Sequence, residues 1–226
     1  MGDANQLGFV QRLAGRLSGP YLEVGSHDYG TTQDLRSLFP DQDYVGVDMI
    51  DGPGVDRVLD LTAPMADIDA ALDGRRFGAI FCLSVLEHCE QPFAMAERLT
   101  DLLRPGGSLV VSVPWVFRFH GYPSDYWRFT HEGVKKLFPR LEFDDALGCA
   151  SSPKTGEEQP LDPDLGRFPL SGSWHRRRGR WGAGLGLDLL KLASTVGLGR
   201  ALTRHRYAFV PTLVNMVGVR PESPAT

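Results

Sequence analysis

From Tyr21 to Val113 short apolar runs recur, most of them ending at a polar residue and followed by a loop and a helical segment. The runs are Tyr21–Val24, Tyr44–Asp48, 55–61, Phe77–Leu83 and 108–113. Phe77–Leu83 is almost wholly apolar, as a central parallel strand covered on both faces must be. Strands alternating with helices dictate a parallel sheet with right-handed crossovers, a doubly wound α/β fold. Ligands of such sheets bind at the carboxyl ends of the strands. Glu23, Asp48, Asp60 and Ser84 all fall at those ends.

The remaining segments complete one domain over 1–226, with an insertion at 151–205. Phe9, Val10, Leu13 and Leu17 recur at helical spacing in a leading helix over 5–17, stopped by Gly19-Pro20. Further helices are expected at 31–39, capped by Thr31 or Thr32, at 65–72, at 92–103 with Pro92 as first residue, and at 130–138 capped by Thr130. Strands are expected at 141–147 and 214–219. Between them, 151–173 reads as a mobile loop rich in Pro, Gly, Ser and acids. Arg176, Arg177, Arg178 and Arg180 form a basic run, and 185–202 has helical apolar spacing.

A formal net charge of −4 argues against a general nucleic-acid binder, so no nucleic-acid partner is expected. The three cysteines, Cys82, Cys89 and Cys149, are odd in number and scattered, which fits a reducing compartment. They lack the paired spacing of a zinc site, and no metal is expected. Residues 1–11 carry no basic-then-apolar leader, and no apolar run is long enough to span a bilayer. The expected location is cytoplasmic.

The first loop separates two kinds of nucleotide ligand. It reads Gly25-Ser26-His27-Asp28-Tyr29-Gly30, with His27 where a dinucleotide fingerprint needs its middle glycine. A side chain there intrudes on a pyrophosphate, and Glu23 and Asp28 repel it, which disfavours NAD. A ligand carrying an ammonium beside a carboxylate answers both difficulties: the ammonium can pair with Glu23 or with backbone carbonyls, the carboxylate with loop and helix-terminal N–H groups. Asp48, 18 residues beyond Gly30, is spaced to accept from ribose hydroxyls.

Glu23-Val24-Gly25-Ser26, Val45-Gly46-Val47-Asp48, the run Phe77–Leu83 followed by Ser84-Val85-Leu86-Glu87-His88, and Leu103-Arg104-Pro105-Gly106-Gly107 stand in order along the chain. In these motifs, over about residues 20 to 145 and the final strand, it resembles the class I S-adenosylmethionine-dependent methyltransferases; His27 departs from that family's usual glycine. The resemblance implies a Rossmann-like, seven-stranded, mostly parallel sheet with an antiparallel last strand and a helical and loop insertion between strands 6 and 7. It implies S-adenosylmethionine as cofactor, held by Glu23, Gly25, Ser26, His27, Gly30, Asp48, Met49, Asp60, Leu61, Leu83 and Ser84. Asp60 is expected at the adenine amino group, with Leu61 against the ring.

The implied reaction is methyl transfer by in-line displacement to a small-molecule acceptor. The stretch from His120 to Thr130 resembles one found in members linked to glycan or secondary-metabolite pathways, which suggests a hydroxyl of that class. His88 or His120 is the candidate base, being the residue type that titrates near neutral pH. Trp115, Tyr126, Trp127 and Arg128 are candidate substrate contacts, though the last three equally fit a packed aromatic corner. Alternatives are a non-catalytic S-adenosylmethionine-binding module and a membrane-associated methyltransferase acting on a lipid-linked substrate, its surface contact made by the basic run and the 185–202 helix.

Overall fold

The computed structural model describes residues 4–30, 34–121, 124–151, 158–161, 165–197, 205 and 207–222. The chain divides into two compact units, 1–163 with 211–226, and 164–210.

The larger unit is built on one sheet. Its strands are β1 (Tyr21–Val24), β2 (Tyr44–Asp48), β3 (Arg57–Val58), β4 (Phe77–Leu83), β5 (Leu103–Val116), β6 (Glu142–Phe143), β7 (Cys149–Ser151), β8 (Glu158–Gln159) and, after the smaller unit's β9 (Arg167–Pro169) and β10 (Tyr207–Phe209), β11 (Thr212–Val219). The order is β3-β2-β1-β4-β5-β11-β7-β8, with β6 also on β11. Strands β1 to β5 pair in parallel, and β11 returns antiparallel along β5. The reversal from β1 towards β2 on one side and β4 on the other makes a switch point, where the carboxyl ends open a crevice.

This is the doubly wound, mostly parallel sheet with an antiparallel last strand that the sequence implies, with nine strands rather than seven. The difference lies at one edge. The single strand expected over 141–147 is replaced by two short pieces, β6 and β7, both paired with β11. Glu158 and Gln159, inside the expected loop, add β8 to β7 and occupy backbone groups that an edge strand leaves open. Arg12 closes an ion pair of 2.8 Å on Glu158 there.

Alternation along β4 divides the core. Ala79, Phe81 and Leu83 face a cluster with Tyr21, Phe39, Tyr44 and the apolar side of α1 (Ala4–Leu13), namely Phe9, Val10 and Leu13. Phe81 stacks on Phe39 with ring centroids 5.3 Å apart, and Tyr21 meets Phe39 at 4.3 Å. A fully buried Phe such as Phe81 contributes roughly 2 kcal/mol of transfer free energy. Helices α2 (Met65–Ala71), α3 (Pro92–Leu102) and α4 (His131–Leu137) follow their strands, and Thr130 caps α4 by accepting from Gly133 N. The helix expected at 31–39 does not extend through its described part, which holds a single 3₁₀ turn, Arg36–Leu38. Its proposed caps, Thr31 and Thr32, lie outside the described residues.

Two other boundaries shift. The strand expected at 108–113 lengthens at its start to take in 103–107, so that β5 begins at Leu103 with an irregularity opposite Phe77–Ala79; Gly106, at φ +74°, supplies the bend. The third strand shrinks from 55–61 to Arg57–Val58.

In the smaller unit β9 and β10 pair antiparallel, and α5 (Gly172–Arg177) packs on α6 (Trp181–Thr195). The two helices approach where Gly172 and Gly184 meet; a Cβ on Gly184 would stand 2.8 Å from Gly172 O. Arg176 is ion-paired with Asp188. The expected helix over 185–202 thus begins earlier and its described part ends at Thr195; residues 198–202 lie outside the described residues.

Candidate functional site

At the carboxyl end of β1 the chain turns at Gly25, whose φ of +74° and whose contact with Val85, 2.6 Å from an added Cβ, both require glycine. Gly25 and Ser26 N–H donate to Val47 O (2.9 and 3.1 Å), and Asp28 N–H donates to Pro53 O (2.8 Å), tying the loop to the one after β2. Gly46 and Gly54 make this possible, since a Cβ on either would stand within 2.5 Å of backbone oxygen on the facing loop. Asp48 completes the join: its carboxylate accepts from His27 N (3.3 Å) and Ile50 N (3.1 Å).

His27 does not fill the loop as its place in the sequence suggested. Its ring lies over Gly52, where an added Cβ would stand 2.2 Å from Nε2, and sits 4.3 Å from the Tyr29 ring. His27 Nδ1 and Ser26 Oγ are buried with no hydrogen-bond partner among the described residues. Glu23, at the end of β1, accepts from Tyr44 OH (2.9 Å), and burial raises its pKa above the ordinary carboxylate value. Met49 and Ile50, beside Asp48, are apolar yet 67% and 55% exposed. Asp60 is exposed, and its carboxylate accepts from Thr62 N (2.8 Å) and Thr62 Oγ1 (2.7 Å), while Leu61 is buried. Gly30, at φ +80°, closes the loop by donating to Asp28 Oδ1 (2.7 Å).

Leu83, buried, ends β4, and Ser84 follows with φ +55°, a backbone region that few non-glycine residues occupy. Its N–H donates to Ser112 O (2.8 Å) on β5. From here a buried polar chain runs through the core: Gln6 Nε2 donates to Ser84 Oγ and Ser112 Oγ, both at 2.8 Å. Ser112 Oγ donates to Asn215 Oδ1 (2.7 Å), and Asn215 Nδ2 to Ser151 Oγ (3.0 Å). Sequence reading missed Gln6 and Asn215. The signal for Gln6 is a polar residue on the same helical face as Phe9, Val10 and Leu13.

Beyond Ser84, the turn Leu86–His88 and the described residues 117–121 and 124–128 form a second centre. The two are strapped together: Tyr126 N and Trp127 N donate to Glu87 O (2.8 and 3.3 Å), Trp127 Nε1 to Cys89 O (2.8 Å), and Tyr126 OH to Glu90 Oε1 (2.9 Å). Tyr126 and Trp127 thereby act as part of this joint. Trp115 lies near the end of β5, half-buried.

Across the joint the rings of His88 and His120 meet edge to face at 5.0 Å. His88 Nδ1 contacts Ser124 O, a pure acceptor, so Nδ1 carries the proton and Nε2 the lone pair. His120 Nδ1 faces Asp125 Oδ2 (3.1 Å) and Arg118 O (3.2 Å), which fixes the same tautomer. The Asp125 side chain is 1% exposed and also bound by Arg128, whose Nη2 donates to Oδ2 at 2.7 Å; this hydrogen bond holds the Asp125 carboxyl below the usual range. Glu87, 1% exposed, has its pKa raised to about 8 by burial, and its Oε2 has no partner among the described residues. Asp125 and Glu87 are the contributors here that were not singled out as site residues.

A depression of about 450 Å³ lies at the opposite edge of the sheet, lined by residues including Arg76, Arg104 and Arg220. Arg104 and Arg220 are spent there on backbone carbonyls: Arg220 Nη1 donates to the O atoms of Thr100, Asp101 and Leu103, and Arg104 Nε to Arg76 O. The chemistry-bearing residues are at the carboxyl edge.

No family model matches the chain, and no curated protein matches it. Among solved structures, it is similar to 1,6-didemethyltoxoflavin-N1-methyltransferase of Burkholderia thailandensis with bound 1,6-didemethyltoxoflavin and S-adenosylhomocysteine (TM-score 0.52, 15% identity, 97% of this chain and 79% of that one). It is similar to the N-methyltransferase NodS of Bradyrhizobium japonicum in complex with S-adenosylhomocysteine (0.51, 10%, 97% and 89%) and to YcgJ of Bacillus subtilis (0.51, 12%, 96% and 99%). At these identities the likeness is one of fold.

Proposed function

We propose, from the Rossmann-like methyltransferase fold that this chain has, that it transfers a methyl group from S-adenosylmethionine to a small-molecule acceptor. The observation that carries the reading is the convergence at one sheet edge of Glu23, the 25–30 loop, Asp48 and Ser84, with two oriented histidines beyond β4 and β5. The residues fit the cofactor in kind. Glu23 in its carboxylate form suits the ammonium, and the unpartnered Ser26 Oγ and His27 Nδ1 offer polar atoms in the loop. Asp48 uses part of its acceptor capacity on two N–H groups and keeps the rest for ribose hydroxyls. Exposed Met49 and Ile50 offer the adenine an apolar face; Leu61, buried, and Asp60, engaged by Thr62, are the less available of the expected contacts.

S-adenosylmethionine supplies an activated methyl group: the acceptor's lone pair bonds to its carbon as the carbon–sulfur bond breaks and the electron pair leaves with sulfur. Holding the two reactants in line provides much of the rate. A hydroxyl acceptor must also lose a proton. His120 takes it on Nε2, while Nδ1–H donates to Arg118 O; the buried Asp125 carboxylate, which accepts from His120 N and lies 3.1 Å from Nδ1, stabilises the imidazolium. Arg128 keeps Asp125 in place. A hydroxyl of a glycan-related or secondary metabolite is the acceptor class that this base suits.

A screen with methyl-labelled S-adenosylmethionine against small-molecule extract fractions tests the reading. Label appears in a small-molecule product, and His120→Ala slows its formation by roughly 10²-fold or more; no transfer to any fraction contradicts the proposal.

One observation favours a second reading, an acceptor carried at a lipid surface. Trp181, Leu185, Leu189, Leu192 and Val196 follow one another at helical spacing along α6 and its end, each between 57% and 78% exposed. Arg177 and Arg180, exposed at its start, match anionic lipid headgroups. Among the described residues no helix is long and apolar enough to cross a membrane, so such contact would be interfacial.

A further inference from the structure

We infer that Glu87, His88 and His120 form a binding site for one divalent first-row transition cation. Their ligand atoms all lie within 4.8 Å of one another. Small side-chain rotations bring such a set to coordination distances of about 2.0–2.2 Å.

Three features separate this cluster from a chance meeting of polar groups. Each histidine has its Nδ1–H engaged by an oxygen acceptor, Ser124 O for His88 and Arg118 O for His120, whose Nδ1 also lies 3.1 Å from the Asp125 carboxylate. That is how outer groups fix metal-ligating histidines, since it leaves the Nε2 lone pair available and raises its basicity. Glu87 is 1% exposed, its Oε1 lies 4.0 Å from His88 Nε2, and its Oε2 has no hydrogen-bond partner among the described residues, so a buried carboxylate with unused acceptor capacity stands beside the histidines. The positive group nearest in kind, Arg128, is bound by both oxygens of Asp125. Two imidazoles and one carboxylate leave coordination positions open, as a site that also takes a substrate requires.

No paired spacing announces this site, because His120 is brought to Glu87-His88 only by the strap from Tyr126 and Trp127. The cysteine-based expectation of no metal did not consider such a set. The consequence for catalysis rests on the methyl-transfer reading: with the cation bound, His120 Nε2 would be its ligand in place of the base role given above, and the cation would polarise the acceptor oxygen so that its proton goes to water. Binding of the cation does not rest on that reading.

The test uses the full chain, freed of metal by chelation and titrated with Co²⁺ without cofactor, following the visible ligand-field absorption. One Co²⁺ binds per chain and Zn²⁺ displaces it. His120→Ala and Glu87→Gln each weaken binding at least tenfold, and Asp125→Asn, a positioning change, weakens it by roughly 10- to 100-fold. Glu87→Gln alters a buried residue; His120→Ala alters a partly exposed loop residue and keeps the test decisive if the other fails to fold. No absorption with the wild-type chain at millimolar Co²⁺, or unchanged affinity in His120→Ala, overturns the site. Because S-adenosylhomocysteine binding is measured separately, loss of one result leaves the other intact.

Discussion

Glu23 places a carboxylate at the end of β1, hydrogen-bonded by Tyr44 OH in a half-buried setting. Burial raises its pKa, so the folded chain without ligand holds this proton to higher pH than the unfolded chain does. The contribution to stability is therefore complete below the unfolded value of about 4.3 and is lost as pH rises through the folded value. Thermal unfolding of the cofactor-free protein will show a melting temperature that falls over that window, and Glu23→Gln will remove part of the fall; superimposable profiles for the two proteins would contradict it. A ligand ammonium reverses the bias by favouring the carboxylate. His27 illustrates where reading residues in sequence stops. Its identity argued against a pyrophosphate, but its ring goes to Gly52, a placement that depends on a missing Cβ two loops away.

The strands β1, β2 and β4 were legible because burial on both faces leaves a nearly continuous apolar signature and their terminal acids or serine mark the edge. Helices and short strands were less so. The described part of 31–39 holds only a 3₁₀ turn around the packing of Leu35 and Phe39, and β6 to β8 exist through pairing with distant partners that no local pattern encodes. Gln6 reads as a flaw in an apolar helix face until Ser84, Ser112 and Asn215 are seen around it. Helix α6 presents the opposite case, apolar residues where solvent is expected. Co-sedimentation with vesicles tests that element: anionic vesicles pellet the wild-type chain, neutral vesicles do so less, and Leu185→Asp with Leu189→Asp abolishes pelleting. Equal, negligible pelleting with both vesicle types would remove the lipid reading.

At the scale of the whole molecule, the sheet order β3-β2-β1-β4-β5-β11 puts the switch point between β1 and β4, and the site follows from it. The residues proposed to hold the cofactor were visible in the sequence as acids and glycines at strand ends, because each belongs to one short motif. The second centre was only half readable. His88 and His120 were visible as candidates, but their juxtaposition, the Asp125 support and the buried Glu87 arise from long-range hydrogen bonds between two loops. The central claim is that the edge of Glu23 and Asp48 seats an S-adenosyl amino acid rather than a dinucleotide. Calorimetric titration with S-adenosylhomocysteine and NAD tests it most directly. One S-adenosylhomocysteine site per chain is expected, at least tenfold weaker in Asp48→Ala (about 1.4 kcal/mol), with no heat from NAD. Binding of NAD alone, or S-adenosylhomocysteine affinity untouched by Asp48→Ala, would contradict it.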